Sequence, residues 1–335
     1  MVTSKIRAVI VAACLTLAPN AGYAESASLI LNWTPTADHA PYYYAKQLGW
    51  YEKAGIDLTI ETGRGSGVSA QRVGSGGSAF GIADLATAMV ARGKGADVVA
   101  VMSVYANTGQ GFYWLKSSGI KGPKDFPGRK LGNPPGDAAR VMWPAFTKQV
   151  GIDPGSVTFV NIAPPAKMPA LKSKAVDIIT DFFNEHDLKL REFGDDLGYV
   201  GWRDVGLNPY GNSIIVNGGV LKQNPELVKT FVQISQKAFA ACVADVKPCI
   251  AALMAGSSGL DEGTQLNQWE RIKWMMADDF TTAKALGWID PDRLKKDYEL
   301  VSTYVGLDKP FDLSDAFTTR FLDASVKMDG SKVKR

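Results

Sequence analysis

Short apolar runs alternate with amphipathic stretches through the first two thirds of the chain, and the apolar runs are punctuated by Gly, Pro, Asn and Asp. The β-branched and aromatic runs predict strands at Ser28–Leu31, Asp57–Glu61, Ala79–Ile82, Asp97–Val104, Gly111–Leu115, Lys130–Gly132, Thr158–Asn161, Asp177–Thr180 and Ser213–Val216. Helical spacing of apolar positions predicts Ala40–Ala54, Val68–Gly74, Leu85–Arg92, Ala138–Val150 and Met168–Lys174 between them. The last third changes character: Glu226–Asp245, Asp261–Asp279 and Pro291–Val305 read as helices with little strand between them. Alternation followed by a helical tail predicts an α/β fold with mixed or mostly parallel sheets.

At 335 residues the chain is long enough for two lobes, each with its own core. Two turn-rich segments, Ser117–Pro123 and Asn208–Asn212, mark places where the chain crosses between them. The expected organisation is a leader over 1–24, a first lobe from 25–116 plus 213–335, and a second lobe over 117–212. A ligand would then sit in the cleft, which closes by hinge motion.

The N-terminus reads as an export signal. Lys5 and Arg7 precede the apolar run Ala8–Ala18, and a small-residue site ends at Ala24. Cleavage there removes both basic residues and lowers the formal charge from +3 to +1, so charge gives no case for nucleic-acid or membrane-surface binding. The expected location is periplasmic. Val11-Ala12-Ala13-Cys14 also resembles a lipoprotein box, which would instead leave the chain tethered at Cys14. No stretch after the leader approaches the roughly 20 apolar residues of a membrane span.

Export changes how Cys242 and Cys249 are read. On one continuous helix they would lie about 10 Å apart along the axis, but Pro248 lets the chain turn back. A local disulfide is expected in an oxidising compartment, against the alternative of two buried thiols. Two cysteines and two histidines far apart in sequence make no zinc site, and no metal is expected.

Candidate chemistry concentrates in Leu31–Ala45, LNWTPTADHAPYYYA, at the C-terminal end of the first strand, where open α/β sheets place ligands. Trp33, Asp38, His39 and Tyr42 combine flat faces with polar tips, as a site for a ring-bearing molecule requires. The three tyrosines lie in a predicted helix and point about 100° apart, so Tyr42 has the best claim on the site and Tyr43 or Tyr44 is core or surface. Trp33, Asp38 and His39 each have a plainer alternative: Trp33 as core, Asp38 as a helix cap, His39 as a hydrogen-bonded structural residue. Asp137 is likewise a plausible cap, and Arg140 either pairs with it or reaches an anion. Gly63-Arg64-Gly65-Ser66-Gly67 lacks the spacing of a nucleotide fingerprint, and no nucleophile elbow is present.

An ordered series of motifs carries a family resemblance. It runs through Trp33-x-Pro35, His39-Ala40-Pro41-Tyr42, Gly49-Trp50-Tyr51, Gly63–Gly67, Phe80-Gly81-Ile82-Ala83-Asp84, Pro134-Pro135-Gly136-Asp137, Val176–Ile179 and Tyr210–Asn217. The series resembles the solute-binding proteins of the thiamine-precursor, nitrate, sulfonate and taurine type, the extracytoplasmic receptors of ABC importers. The resemblance implies a two-lobe periplasmic-binding fold, type II, that captures a small organic ligand and docks on a membrane permease. The leading reading is a binding protein with no reaction of its own and no cofactor, expected as a monomer. The resemblance places Trp33, Asp38, His39 and Tyr42 on one wall of the cleft, with Asp84 among the ligand contacts. Arg64, Gly65, Ser66 and Gly67 form the loop at the start of the next helix, whose free backbone N–H groups can hold an anion or a carbonyl. Pro135, Gly136, Asp137, Arg140, Asn184, Glu185 and His186 come from the other lobe, with Tyr210 and Asn212 at the crossing.

A rival reading comes from the same superfamily. The thiamine-pyrimidine synthases share the fold and consume a histidine and pyridoxal phosphate, a role that would fall to His39. Those enzymes carry a cysteine cluster where this chain has Tyr210-Gly211-Asn212-Ser213. Ligand class stays open: the aromatic wall with Asp38, Asn184 and Glu185 suits a flat nitrogen heterocycle, whereas Arg64 and Arg140 suit a carboxylate or a sulfonate such as taurine.

Overall fold

The computed structural model of the protein describes residues 24–333, so the leader and Cys14 lie outside the described residues. Ten strands are β1 Glu25–Ile30, β2 Ile56–Glu61, β3 Phe80–Asp84, β4 Val98–Ser103, β5 Gln110–Leu115, β6 Lys130–Asn133, β7 Thr158–Asn161, β8 Ile178–Phe182, β9 Leu197–Gly201 and β10 Asn212–Asn217. They form two five-stranded sheets with orders β2-β1-β3-β10-β4 and β7-β6-β8-β5-β9. The two orders are the same pattern. In each, β1 or β6 pairs parallel with both neighbours, and the fourth place is taken by an antiparallel strand. That strand is always the one delivered across the gap: β10 returns to the first sheet, and β5 opens the second.

The position of β5 corrects the expected lobe boundary. Gln110–Leu115 pairs with β8 and β9, so it belongs to the second lobe, and the first crossing is Val104–Gly109 rather than Ser117–Pro123. The latter is a turn inside the second lobe that leads towards β6. Its glycines and proline signal a change of direction without saying which sheet the preceding strand joins. The returning crossing is Trp202–Gly211. Strand β9 has no counterpart among the expected strands, because Gly198 and Gly201 break its apolar alternation.

Expected helices recur with local breaks that have physical causes. Ala40–Ala54 splits into Ala40–Gln47 and Trp50–Lys53 because Gly49 takes the left-handed conformation (φ 67°). Ala138–Val150 splits at Met142, where Pro144 sits in the first turn of the second piece. The tail is helical, with Pro225–Ala244, Lys247–Gly256, Glu262–Met276 and Pro291–Leu300.

The largest core cluster packs Ala40–Gln47, Pro225–Ala244, Lys247–Gly256 and Glu262–Met276 against the first sheet. A second cluster joins both lobes, with Leu85 and Met89 meeting Phe112, Phe146 and Trp202, and Ile289, Leu294 and Val301 of the tail. None of the described helices is long and apolar enough to cross a membrane.

Cys242 and Cys249 are disulfide-bonded, with Cα atoms 5.9 Å apart. The bond ties the end of Pro225–Ala244 to the first turn of Lys247–Gly256, and the helix break between them at Asp245–Val246 provides the approach. Closing so short a loop limits the gain to about 2–3 kcal/mol. Cys242→Ser with Cys249→Ser should lower unfolding stability by about that much in urea, and reductant should reproduce the loss in the unmodified chain but not in the variant.

Candidate ligand-binding site

A cavity lies between the lobes. Its walls come from the C-terminal ends of strands in both sheets: Asn32, Trp33, Thr36 and Asp38 after β1, Gly65 and Ser66 after β2, Asp137 after β6, and Asp181, Phe182, Asn184 and Glu185 at the end of β8. Lys167 and Gln110 complete it. Trp33 and Phe182 supply flat faces, and most of the polar groups are oxygen acceptors.

On the first lobe a closed set of hydrogen bonds fixes Asp38. His39 Nδ1 accepts from the Thr36 N–H at 3.1 Å, which assigns the ring proton to Nε2, and Nε2–H donates to Asn32 Oδ1 at 3.0 Å. Asn32 then donates to Asn212 Oδ1 at 3.4 Å, and Asn212 Nδ2 donates to Asp38 Oδ2 at 3.3 Å. The Thr36 hydroxyl donates to the other Asp38 oxygen. Every member is buried. Burial lowers the His39 pKa more than Asp38 raises it, so the ring is neutral and serves as an orienting link.

The second lobe holds a denser charge cluster. Lys189, fully buried, donates to Asp181 at 2.7 Å and lies 3.7 Å from Glu185. Lys167 Nζ donates to the Thr180 carbonyl at 2.7 Å, lies 3.4 Å from Asp181 and 3.9 Å from Asp137, and sits 4.3 Å over the Trp33 ring of the other lobe. Burial pushes the Asp181 carboxyl up, but the two ammoniums outweigh it and hold it low. Glu185 shows the opposite result: burial and then the Asp181 charge push it up to about 7. Asp137 is raised by burial despite Lys167. It also caps its helix through Ala139 N–H at 3.0 Å and accepts from the Thr180 hydroxyl at 2.9 Å.

The two lobes touch through glycine backbone. The Gly67 N–H donates to the Gly136 carbonyl at 3.0 Å. A Cβ on Gly65, whose φ is +127°, would lie 2.4 Å from that same oxygen. The Gly63–Gly67 loop therefore acts as a close-contact clasp rather than an anion cradle. On the other flank Arg271 pairs with Asp187 through two bonds of 2.5 and 2.6 Å, linking Glu262–Met276 to the second lobe.

Of the expected site residues, Trp33, Asp38, Gly65, Ser66, Asp137, Asn184 and Glu185 line the cavity. Arg64, Pro135 and Gly136 line a separate open groove at the outer mouth. The remainder are placed elsewhere. Tyr42 is core, edge-on to Phe239 at 5.4 Å. Asp84 caps Leu85–Gly93 through the Thr87 N–H, and burial raises its pKa to about 6. Arg140 donates to Asn161 and covers the Phe159 ring at 4.5 Å. Tyr210 accepts from the Asp290 N–H at 2.9 Å and anchors the tail helix to the crossing. His186 packs among Phe183, Tyr113 and Tyr199. His39 and Asn212 act behind Asp38. The expectations omitted Asn32, Thr36, Gln110, Lys167, Asp181 and Phe182; the segment Asp181–Glu185 at a strand's C-terminal end was the available signal.

This arrangement is the two-lobe fold of ABC-import solute-binding proteins. The alkanesulfonate-binding protein SsuA of Xanthomonas axonopodis pv. citri, solved with MOPS, matches with a TM-score of 0.69 at 14% identity over 89% of this chain and 100% of that one. Residues 36–247 match the NMT1/THI5-like family, and the chain belongs to it. Relatives include the riboflavin-binding protein RibY of Chloroflexus aurantiacus, 25% identical over 316 residues covering 91% of this chain and 88% of that protein. They also include a 4-amino-5-hydroxymethyl-2-methylpyrimidine phosphate synthase of Legionella pneumophila, 26% identical over 302 residues covering 88% and 92%. The formylaminopyrimidine-binding protein of Halalkalibacterium halodurans is 21% identical over 216 residues, 64% of this chain and 66% of that protein.

The glycine clasp generates a test of closure. A Cβ on Gly67 would lie 3.2 Å from the Gly136 carbonyl, while the residue itself sits in the first turn of Ser66–Gly74, where alanine is tolerated. Gly67→Ala should keep the thermal midpoint within a few degrees and shift the chain towards open forms, read as a larger radius of gyration in small-angle scattering. An unchanged radius would show that the clasp does not control closure.

Proposed function

We propose that this protein is the extracytoplasmic receptor of an ABC importer and captures a flat, nitrogen-bearing ring that presents N–H donors. Export through residues 1–24 and delivery to a permease complete the reading. The observation that carries it is the cavity's lining: Trp33 and Phe182 offer faces, while Asp38, Asp137, Asn184 and Glu185 offer acceptors. Arg64 and Arg140, the cations a carboxylate or sulfonate would need, lie outside. The two lysines are already matched by Asp181 and Asp137. Two relatives are named for riboflavin and formylaminopyrimidine, both flat nitrogen heterocycles.

Two features favour binding over synthesis. Both His39 ring nitrogens are engaged and the ring does not line the cavity. The crossing carries Tyr210-Gly211-Asn212-Ser213 in place of the synthases' cysteines.

A thermal-shift panel of aminopyrimidines, flavins, aromatic acids, taurine and nitrate tests the reading. A ring with amino or ring N–H groups at about 100 times its Kd should add about 2.7 kcal/mol of stability. A shift with sulfonates or carboxylates alone would overturn it. Trp33 belongs to none of the core clusters, so Trp33→Ala should fold normally and weaken the ring ligand by about 1 kcal/mol or more, roughly fivefold.

Glu185 gives the site a pH dependence. Its pKa is raised from the usual 4.5 to about 7, so its contribution to folding is present below 4.5 and is lost as pH rises through 7. Binding of an N–H donor runs the other way, because the ionised carboxylate is the better acceptor. Affinity should therefore rise between about pH 6 and pH 8, measured by calorimetry, and Glu185→Gln should flatten that rise.

A further inference from the structure

A second cavity adjoins the crossings, walled by Thr108, Gln110, Phe183, Tyr199, Trp202, Arg203 and Trp274 among others. It is distinct from the interlobe cavity. Gln110 lines both, while Phe182 lines one and Phe183 the other.

Its chemistry is the inverse of the interlobe site. The Arg203 guanidinium is stacked 3.9 Å over the Trp274 ring, which holds it in one plane, and its Nη1 is buried without a hydrogen-bond partner. The Trp202 indole N–H is also buried and unpartnered. The neighbouring Asp204 carboxylate, which also lines the cavity, accepts from the Gly201 N–H at 2.8 Å. Burial and the nearby Arg293 both work against the Arg203 charge, only partly offset by Asp204. Two unpaired buried donors, one of them cationic, carry a desolvation cost that an oxyanion would relieve. Phe183, Tyr199 and Trp274 provide apolar surface for a ring beside it.

We propose that this cavity is a second binding site that takes a small aromatic carboxylate, with the carboxylate on Arg203 Nη1 and Trp202 Nε1 and the ring among the aromatic walls. Trp274 lies on Glu262–Met276, packed in the first lobe's core, whereas Tyr199 and Phe183 belong to the second lobe. An occupant therefore contacts both lobes at the hinge and favours the closed arrangement.

Benzoate is the probe, titrated into the exported chain by calorimetry with acetate and chloride as controls. Benzoate should bind more tightly than either control. Arg203→Met should weaken it by about tenfold or more, with Arg203→Lys intermediate. Glu185→Gln should leave benzoate affinity unchanged, since Glu185 lines only the interlobe cavity. If Arg203→Met fails to fold, the indole ¹⁵N–H signal of Trp202, assigned through Trp202→Phe, gives the readout and should move on benzoate addition. Absence of binding at millimolar benzoate would overturn the proposal. So would a Trp202 signal that stays fixed, or benzoate binding lost in Glu185→Gln but kept in Arg203→Met.

Discussion

The two crossings are hydrogen-bonded to each other, and the rest of the molecule is arranged around that junction. The N–H groups of Val104 and Tyr105 both donate to the Asn212 carbonyl, and the Gly211 N–H returns to the Tyr105 carbonyl. Asn208 donates to Asn107, whose own amide reaches the Ala277 carbonyl. Buried backbone groups cannot be left unpaired, so these segments move as one strap. Asn212 belongs to the strap, opens β10 and also holds Asp38. The hinge and the acceptor wall therefore share a residue, and movement of one displaces the other.

Charge sets the remaining geometry. Asp38, Asp137, Asp181 and Glu185 could not share a narrow cavity as bare carboxylates. Each is handled differently: Asp38 by neutral donors relayed from His39, Asp137 by a helix terminus and a hydroxyl, Asp181 by two ammoniums, and Glu185 by retaining its proton to near neutral pH. Lys167 reaches the face of Trp33 across the cleft, so part of this balance exists only when the lobes meet.

Much of this was legible in the sequence where a residue's place along a strand decided its fate. Trp33, Asp38, Asn184 and Glu185 follow strands whose apolar runs are clear, and strand ends face the cleft. Tyr42 was not separable from Trp33, because one helical turn decides whether a tyrosine meets ligand or Phe239. The Gly63–Gly67 loop looked like a cradle for the same reason it is a clasp: glycine permits close approach and does not specify what approaches. Lys167 and Lys189 gave no signal, since a lysine in an amphipathic stretch reads as solvated until the fold buries it. The lobe boundary was displaced by one strand because pairing partners of β5 lie more than sixty residues downstream.

The exchanged strands also govern when the protein can become folded. The first sheet cannot close the gap between β3 and β4 until β10 has been made, more than a hundred residues after β4. Its core further needs helices from the last third. Such long-range pairing slows folding. A growing chain thus carries an unfinished first sheet through most of its synthesis, and it stays pliable enough to be threaded, or intercepted by a chaperone, until its final segments emerge.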